Sequence, residues 1–331
     1  MNSQMDNPVK VLRSDFEMEM RSVDRIINRY MTSDSTPIIS ELSSHLIKAG
    51  GKRLRPLLTI ASAKMCDYSG DAHIKLAAAI EFIHSATLLH DDVVDESEKR
   101  RGKPTANFLW NNQSSVLVGD YLFSKSFQLM VEAESLNVLS ILADASATIS
   151  EGEILQLSAV RNLNTSQEVY YKIIEGKTAA LFSAATKVGA VIANSEKDFV
   201  TAFMNYGKFL GLCFQLTDDL LDYIGDEESL GKKIGDDFKE GKLTLPLIKA
   251  IEKSTSKEQE FWKKAIQKNS PSEDKLEQAL FIMKKYETLD FTRNEAINYS
   301  KKASNSLDVF PRSDLKDTLK ELASHVVSRI N

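Results

Sequence analysis

No proline interrupts the chain between Pro104 and Pro246. A proline inside a helix removes a backbone donor and clashes with the preceding turn, so this stretch is free to run as long helices. Apolar residues recur every three or four positions in "NVLSILADASATISEGEILQLSAV" and "FVTAFMNYGKFLGLCFQLTDDLLDYI". In "IKLAAAIEFIHSATLLHDD" the residues Leu76, Ile80, Ile83 and Thr87 keep the same spacing. That period belongs to helices with a buried stripe, and strand alternation and Asn-Gly or Asp-Gly hairpin turns are missing. The expected fold is all-α, a single-domain bundle of long helices over residues 1–331, with "DFEMEMRSVDRIINRYM" as its first helix.

At 331 residues the chain is long enough for one large domain, and it shows neither a repeat of solenoid length nor a low-complexity linker. Its net charge of -5 excludes a nucleic-acid-coating surface, which needs clustered excess Lys and Arg. Two cysteines, Cys66 and Cys213, make neither a disulfide framework nor a structural zinc site. The N-terminal residues have no apolar core of signal-peptide length and no run is long enough to span a membrane. A soluble, cytoplasmic protein is expected.

Two acidic clusters carry the chemistry. "LLHDDVVDESEKRRGK" holds Asp91, Asp92 and Asp95, and "QLTDDLLDY" repeats the spacing as Asp218, Asp219 and Asp222. The first and last aspartates of each set lie four apart, on one helix face, with the middle one about 100° round. One such cluster alone is ordinarily a solvated helix end. Two copies, each preceded by an apolar helix, point to a hard cation among the carboxylates. Mg²⁺ suits them, because it takes oxygen ligands and binds through one or two carboxylates plus substrate phosphates. The motifs lack the His and Cys ligands that zinc favours, the alternating ligands and glycine of an EF-hand, and the Glu-x-x-His pairs of a di-iron bundle. On facing helices the two motifs would hold a metal-bridged diphosphate.

Such an anion also needs protein cations. Lys52, Arg53 and Arg55 in "KAGGKRLRP", Arg100 and Arg101, Lys177 in "EGKTAALF", and Lys232, Lys233 and Lys242 in "GKKIGDDFKEGK" recur beside glycines that let backbone approach a ligand. Singly, each is ordinarily a surface charge. The segment 225–246, rich in Gly, Asp and Lys, is expected to be mobile and exposed.

With "GGKRLRP", "DDVVDESEKRRG", "GKTAALF", "QLTDDLLD" and "GKKIGDDFKEGK" in this order, the chain resembles the trans-isoprenyl (polyprenyl) diphosphate synthases. The likeness covers residues 50–246, with 247–331 as C-terminal helices, and implies an isoprenoid-synthase bundle around a central cavity. "EFIHSATLLHDDVVDESEKRRGKPTAN" is particularly similar to bacterial octaprenyl diphosphate synthases. The resemblance implies that both aspartate motifs position several Mg²⁺ ions on the allylic diphosphate. It gives Arg100, Lys177, Gln215, Lys232 and Lys242 to that diphosphate, with Thr178 beside the reacting carbon and Lys177, Thr178 and Gln215 as the catalytic set. Lys52, Arg55, His84 and Arg101 would bind isopentenyl diphosphate. His84 alone, on an apolar helix, reads as a core histidine, and only the family pattern promotes it. His90 and Arg53 gain no such support.

The implied chemistry is ionisation of the allylic C–O bond, then head-to-tail attack by the alkene of isopentenyl diphosphate and loss of a proton. It needs electrostatic stabilisation of the leaving diphosphate and no nucleophilic Ser or Cys. Closure of residues 225–245 would keep water from the carbocation. Short-chain relatives often carry an aromatic plug four and five residues before the first aspartate. Here those positions are Thr87 and Ala86, which predicts a longer product, about C40, as for quinone side chains. Phe127 and Met130 are candidate floors by helical spacing. A C15–C20 synthase, a terpene cyclase and a non-catalytic synthase subunit stay as alternatives. The family implies a homodimer, and "SHVVSRIN" lacks the run of basic residues that ends some members.

Overall fold

The structure, a computed structural model, describes residues 7–48, 50–100, 102–225, 234–266 and 273–330. Among the described residues it is all-α apart from one minimal hairpin. The chain divides into two compact units. One comprises Met1–Ser146, Leu181–Gly207 and Ser306–Leu322, and the other Ala147–Ala180, Lys208–Asn305 and Ala323–Asn331. The divisions at Ser146 and Gly207 fall inside the helices Leu136–Ala159 and Lys197–Ile224, not in linkers.

The first unit is organised on the helix Ala72–Val94, which packs against Asn112–Val131, Leu54–Met65 and Glu17–Tyr30. Eight consecutive residues, Leu76 to Ile83, are buried on every face, as a helix hydrophobic all round must be. Each large side chain among them contributes roughly 1.5–3 kcal/mol by leaving water. The helix expected over 15–31 forms as Glu17–Tyr30, and a further helix, Pro8–Asp15, precedes it, the two meeting at Phe16. After the first acidic motif, Lys99–Arg100 pairs antiparallel with Lys103–Pro104. Gly102, at φ 74°, makes this tight turn without the Asn-Gly or Asp-Gly signal that marks most hairpins.

In the second unit Leu245–Lys253 packs against Gln167–Ile174, Ser256–Ile266 and Glu273–Lys285. The charged 251–290 region is amphipathic, with Trp262, Ile266, Ala279, Ile282 and Met283 buried. Residues 226–233 of the segment expected to be mobile and exposed lie outside the described residues, but 234–246 correct the expectation of exposure. They include a short helix, Asp236–Glu240, with Phe238 fully buried and Leu243, Thr244 and Leu245 at most 7% exposed. Phe238 is buried although the surrounding Gly, Asp and Lys disguise it. Among the described residues no helix is long and apolar enough to cross a membrane.

Candidate active site

In the first unit, Asp91 and Asp92 occupy the last turn of Ala72–Val94, and Asp95 follows directly. Asp91 and Asp95 are half-buried, while Asp92 turns inward at 3% exposure, as the helical offset requires. Arg100, delivered by the hairpin, donates from Nε to Asp92 Oδ1 at 2.9 Å. Burial raises the Asp92 carboxyl above its ordinary range, and Arg100 opposes that shift.

Arg55 opens the helix Leu54–Met65 with its guanidinium carbon 4.3 Å from the Phe182 ring centroid. Burial pulls it down to about 10, so it remains a cation at neutral pH, and its buried Nε has no protein partner. An oxygen-rich ligand would satisfy that donor. Lys52 is exposed just before it, and His84 is half-buried on Ala72–Val94. Arg53 lies 2.6 Å from Glu81, both side chains largely buried, an ion pair internal to the fold. His90 lies 3.2 Å from the Val116 carbonyl. Ala86 is buried, and the Thr87 hydroxyl donates to the His84 carbonyl at 2.8 Å. Met130 is buried, whereas Phe127 is 39% exposed and edge-on to Phe123.

In the second unit, Ser166 caps Gln167–Ile174, its hydroxyl accepting the Val169 N–H. The helix then widens into a π-turn, Glu175–Ala179, that carries Lys177 and Thr178. Such turns re-aim side chains and recur at functional sites. Here the helix Leu136–Ala159 approaches unusually closely. A Cβ on Gly152 would lie 2.8 Å from the Lys177 nitrogen, and one on Gly176 would lie 2.9 Å from the Gly152 Cα. That approach sets Glu153 beside Lys177, with Nζ 2.9 and 3.0 Å from its two carboxylate oxygens.

From Thr178 a chain of hydrogen bonds runs to the second motif. The Thr178 hydroxyl donates to Gln215 Oε1, Gln215 Nε2 donates to Asp219 Oδ1, and the Tyr170 hydroxyl donates to Asp219 Oδ2, each at 2.7 Å. Burial pushes the Asp219 carboxyl up to about 6, with Asp218 and Asp222 adding to the shift and the two donors opposing it. Burial and Asp219 hold the Tyr170 phenol protonated, which keeps it a donor. Asp222 is fully buried, and Asp218 alone of the three is substantially exposed, its side chain at 40%. Lys177, Gln215, Asp219 and Lys242 line one pocket together with Tyr170, Asp237 and Thr244. Lys242 Nζ lies 2.8 Å from Glu240.

Glu153, Tyr170 and Asp237 were not singled out by the sequence. Glu153 lies within an apolar-periodic helix segment and Asp237 within "GDDFKEGK", and nothing local marks Tyr170. Arg101 and Lys232 lie outside the described residues.

The donors suited to a metal are carboxylate oxygens alone. Among the described residues no three His, Cys, Asp or Glu groups are placed to hold an ion. Carboxylate oxygens suit a hard ion that takes one or two of them and completes its shell with water and phosphate oxygens. Asp91 and Asp95 in the first unit and Asp218 in the second are each partly exposed.

Comparison with known proteins places the chain in a family. The sequence profile of the family described as Polyprenyl synthetase matches residues 36–283. An octaprenyl diphosphate synthase of Haemophilus influenzae is 40% identical over 311 residues, 94% of either chain. The crystal structure of a decaprenyl diphosphate synthase from Rhodobacter capsulatus superposes with a TM-score of 0.94 at 50% identity, covering 98% of this chain and 99% of that one. A polyprenyl synthase from Caulobacter crescentus, complexed with calcium and isoprenyl diphosphate, gives 0.92 at 50% identity over 97% of each chain. The chain belongs to the polyprenyl synthetase family and is a trans-prenyltransferase.

Proposed function

We propose that the enzyme condenses isopentenyl diphosphate head-to-tail (1'-4) onto an allylic diphosphate such as farnesyl diphosphate, in a Mg²⁺-dependent reaction giving an all-trans polyprenyl diphosphate of about C40 for quinone side chains. The observation that carries this reading is the pocket in which Lys177 and Lys242 meet the Thr178–Gln215–Asp219–Tyr170 network. Two cations and a pre-aligned donor chain suit a departing diphosphate. The relative crystallised with calcium and isoprenyl diphosphate supports the ligand class.

In this reading Asp91, Asp92 and Asp95, with Asp218, Asp219 and Asp222, serve the metal-bound allylic diphosphate. Asp92 and Asp219 act from inside, orienting Arg100 and Gln215. When bound, Mg²⁺ neutralises charge that builds on the leaving diphosphate. Lys177, Lys242 and Arg100 add fixed positive charge there, and Lys232 is assigned with them. Thr178 sits beside the reacting carbon, held by Gln215. Lys52, Arg55, His84 and Arg101 bind isopentenyl diphosphate, for which the partnerless Nε of Arg55 is a ready donor. Fixed dipoles and charges of this kind act without reorganising during the reaction. The enzyme is assigned as a cytoplasmic homodimer, with residues 1–331 as one catalytic domain.

Small side chains at Ala86 and Thr87 and the octaprenyl relative favour C40. The decaprenyl neighbour makes C50 the nearest competitor. Purified protein with Mg²⁺, farnesyl diphosphate and labelled isopentenyl diphosphate should give a ladder ending at about C40 after hydrolysis and chromatography. A stop at C15 or C20 overturns the length assignment and keeps the reaction. Absence of incorporation overturns the reaction itself.

A further inference from the structure

Arg329 lies in the short turn Ser328–Ile330, and that turn is docked. Ile330 is 4% exposed, and its carbonyl accepts Arg293 Nε at 2.9 Å. From this anchor the Arg329 guanidinium carbon stands 5.8 Å from the Phe214 ring centroid, and Nη1 donates to Asp218 Oδ1 at 2.9 Å. Phe214 and Asp218 are four residues apart on Lys197–Ile224, so they share one face and the arginine lies along both. Of the second motif, Asp219 is committed to Tyr170 and Gln215, and Asp222 is fully buried. The guanidinium therefore occupies the one carboxylate of that motif left substantially exposed.

We propose that Arg329 is a built-in counter-ion for Asp218, holding the carboxylate in place before loading and exchanging for the divalent cation when the metal–diphosphate binds. The inference rests on the reading of Asp218 as a metal ligand. Exchange follows from charge: a guanidinium on Asp218 and a divalent ion on the same carboxylate repel one another. It also follows from the weakness of the contact, since the two side chains are 32% and 40% exposed and such pairs are screened by water. The turn itself is held by Arg293 through the Ile330 carbonyl, so the Arg329 side chain can leave Asp218 while the backbone stays docked.

The test is titration of the full chain with Mn²⁺ at a fixed concentration of inorganic diphosphate, followed by electron paramagnetic resonance or calorimetry, for the native sequence, Arg329→Gln, Asp218→Asn and the double variant. Removing a partly exposed competitor should tighten Mn²⁺ binding by about two- to fivefold in Arg329→Gln. Asp218→Asn should weaken it, and Arg329→Gln should change nothing further in that background. Thermal melts check that each variant is folded, and Arg329→Lys, which keeps the charge, should bind nearer the native value. Unchanged or weaker Mn²⁺ binding in Arg329→Gln, with Asp218→Asn impaired, overturns the counter-ion alone. Native Mn²⁺ affinity in Asp218→Asn overturns the ligand reading on which it stands.

Discussion

The Asp222 carboxylate accepts the backbone N–H of Asp237 at 3.0 Å, and its own carbonyl accepts the N–H of Gly235 at 2.7 Å. The last aspartate of the second motif therefore caps the short helix Asp236–Glu240 and ties it to Lys197–Ile224. Since Asp237 and Lys242 line the pocket, this fully buried carboxylate positions that wall as well as carrying charge. Asp222→Ala should leave a buried N–H without an acceptor and cost about 1–3 kcal/mol. It should also speed amide exchange across 235–244, while Asp222→Asn, which keeps an acceptor, should do less of both. Hydrogen exchange read by mass spectrometry decides the matter, and native protection of 235–244 in Asp222→Ala would remove the capping role.

Asp219 gives a pH dependence whose sign is fixed by burial. A carboxyl with its folded pKa raised to about 6 binds more protons folded than unfolded between roughly pH 4 and that value. Its stabilising contribution is present below that window and is lost as pH rises through about 6. Asn mimics the protonated acid, with one oxygen for Gln215 and an amino group facing the Tyr170 oxygen. In metal-free buffer with chelator, Asp219→Asn should melt above the native protein at pH 8, and the gap should close toward pH 4. A variant that melts lower at pH 8 would show the charged carboxylate to be the stabilising form.

Glu153 meets Lys177 with both carboxylate oxygens, and the side chains are only 20% and 23% exposed, so removing the carboxylate leaves a largely buried ammonium less well compensated. Its effect should fall on stability and on substrate. Glu153→Gln should lower Tm and should lower KM for farnesyl diphosphate a few-fold, because the Glu153 carboxylate no longer competes for the ammonium. Lys177→Ala should lower kcat by about 10²–10³, the scale of losing one electrostatic donor. Steady-state kinetics separate the two. A rise in KM for Glu153→Gln would mean that the glutamate orients the lysine rather than competing for it.

The helical fold and both acidic motifs were legible because each follows from local spacing: a proline-free apolar period and paired Asp-Asp-x-x-Asp sets. What each aspartate does was not legible. Equal spacing hides that Asp91 and Asp95 keep partial exposure, whereas in the second motif only Asp218 does. That difference arises from neighbours distant in sequence, Tyr170 and Asp237, which no local pattern announces. Glu153 was hidden for the same reason, since its meeting with Lys177 depends on two glycines 24 residues apart, Gly152 and Gly176, touching across helices. The buried Phe238 was masked by composition, a single aromatic in a polar stretch.

Both cysteines should be poor nucleophiles. Cys213 is fully buried and pushed up to about 12, and burial also raises half-buried Cys66. Only the thiolate reacts. Iodoacetamide at pH 8 should leave Cys213 unmodified and label Cys66 slowly, with both labelled after denaturation, as peptide mass spectrometry will show. Rapid labelling of Cys213 would reveal local opening of Lys197–Ile224.

In the proposed reading, product length turns on space around Ala86 and Thr87 in the first unit. Ala86 is 1% exposed in the core of Ala72–Val94, so Phe there must displace neighbours at about 1–3 kcal/mol. Thr87 is half-buried, and Phe at that site also gives up the hydrogen bond to the His84 carbonyl. If the growing chain runs past these residues, both Ala86→Phe and Thr87→Phe should shorten the ladder while keeping incorporation of isopentenyl diphosphate, and Ala86→Phe should show the larger loss of Tm. Met130, buried, and Phe127, 39% exposed, make a matched pair for the floor. Met130→Ala should lengthen the product and Phe127→Ala should leave it unchanged. A fall in Tm for Ala86→Phe with an unaltered ladder would reduce that position to core packing and move the length determinant elsewhere.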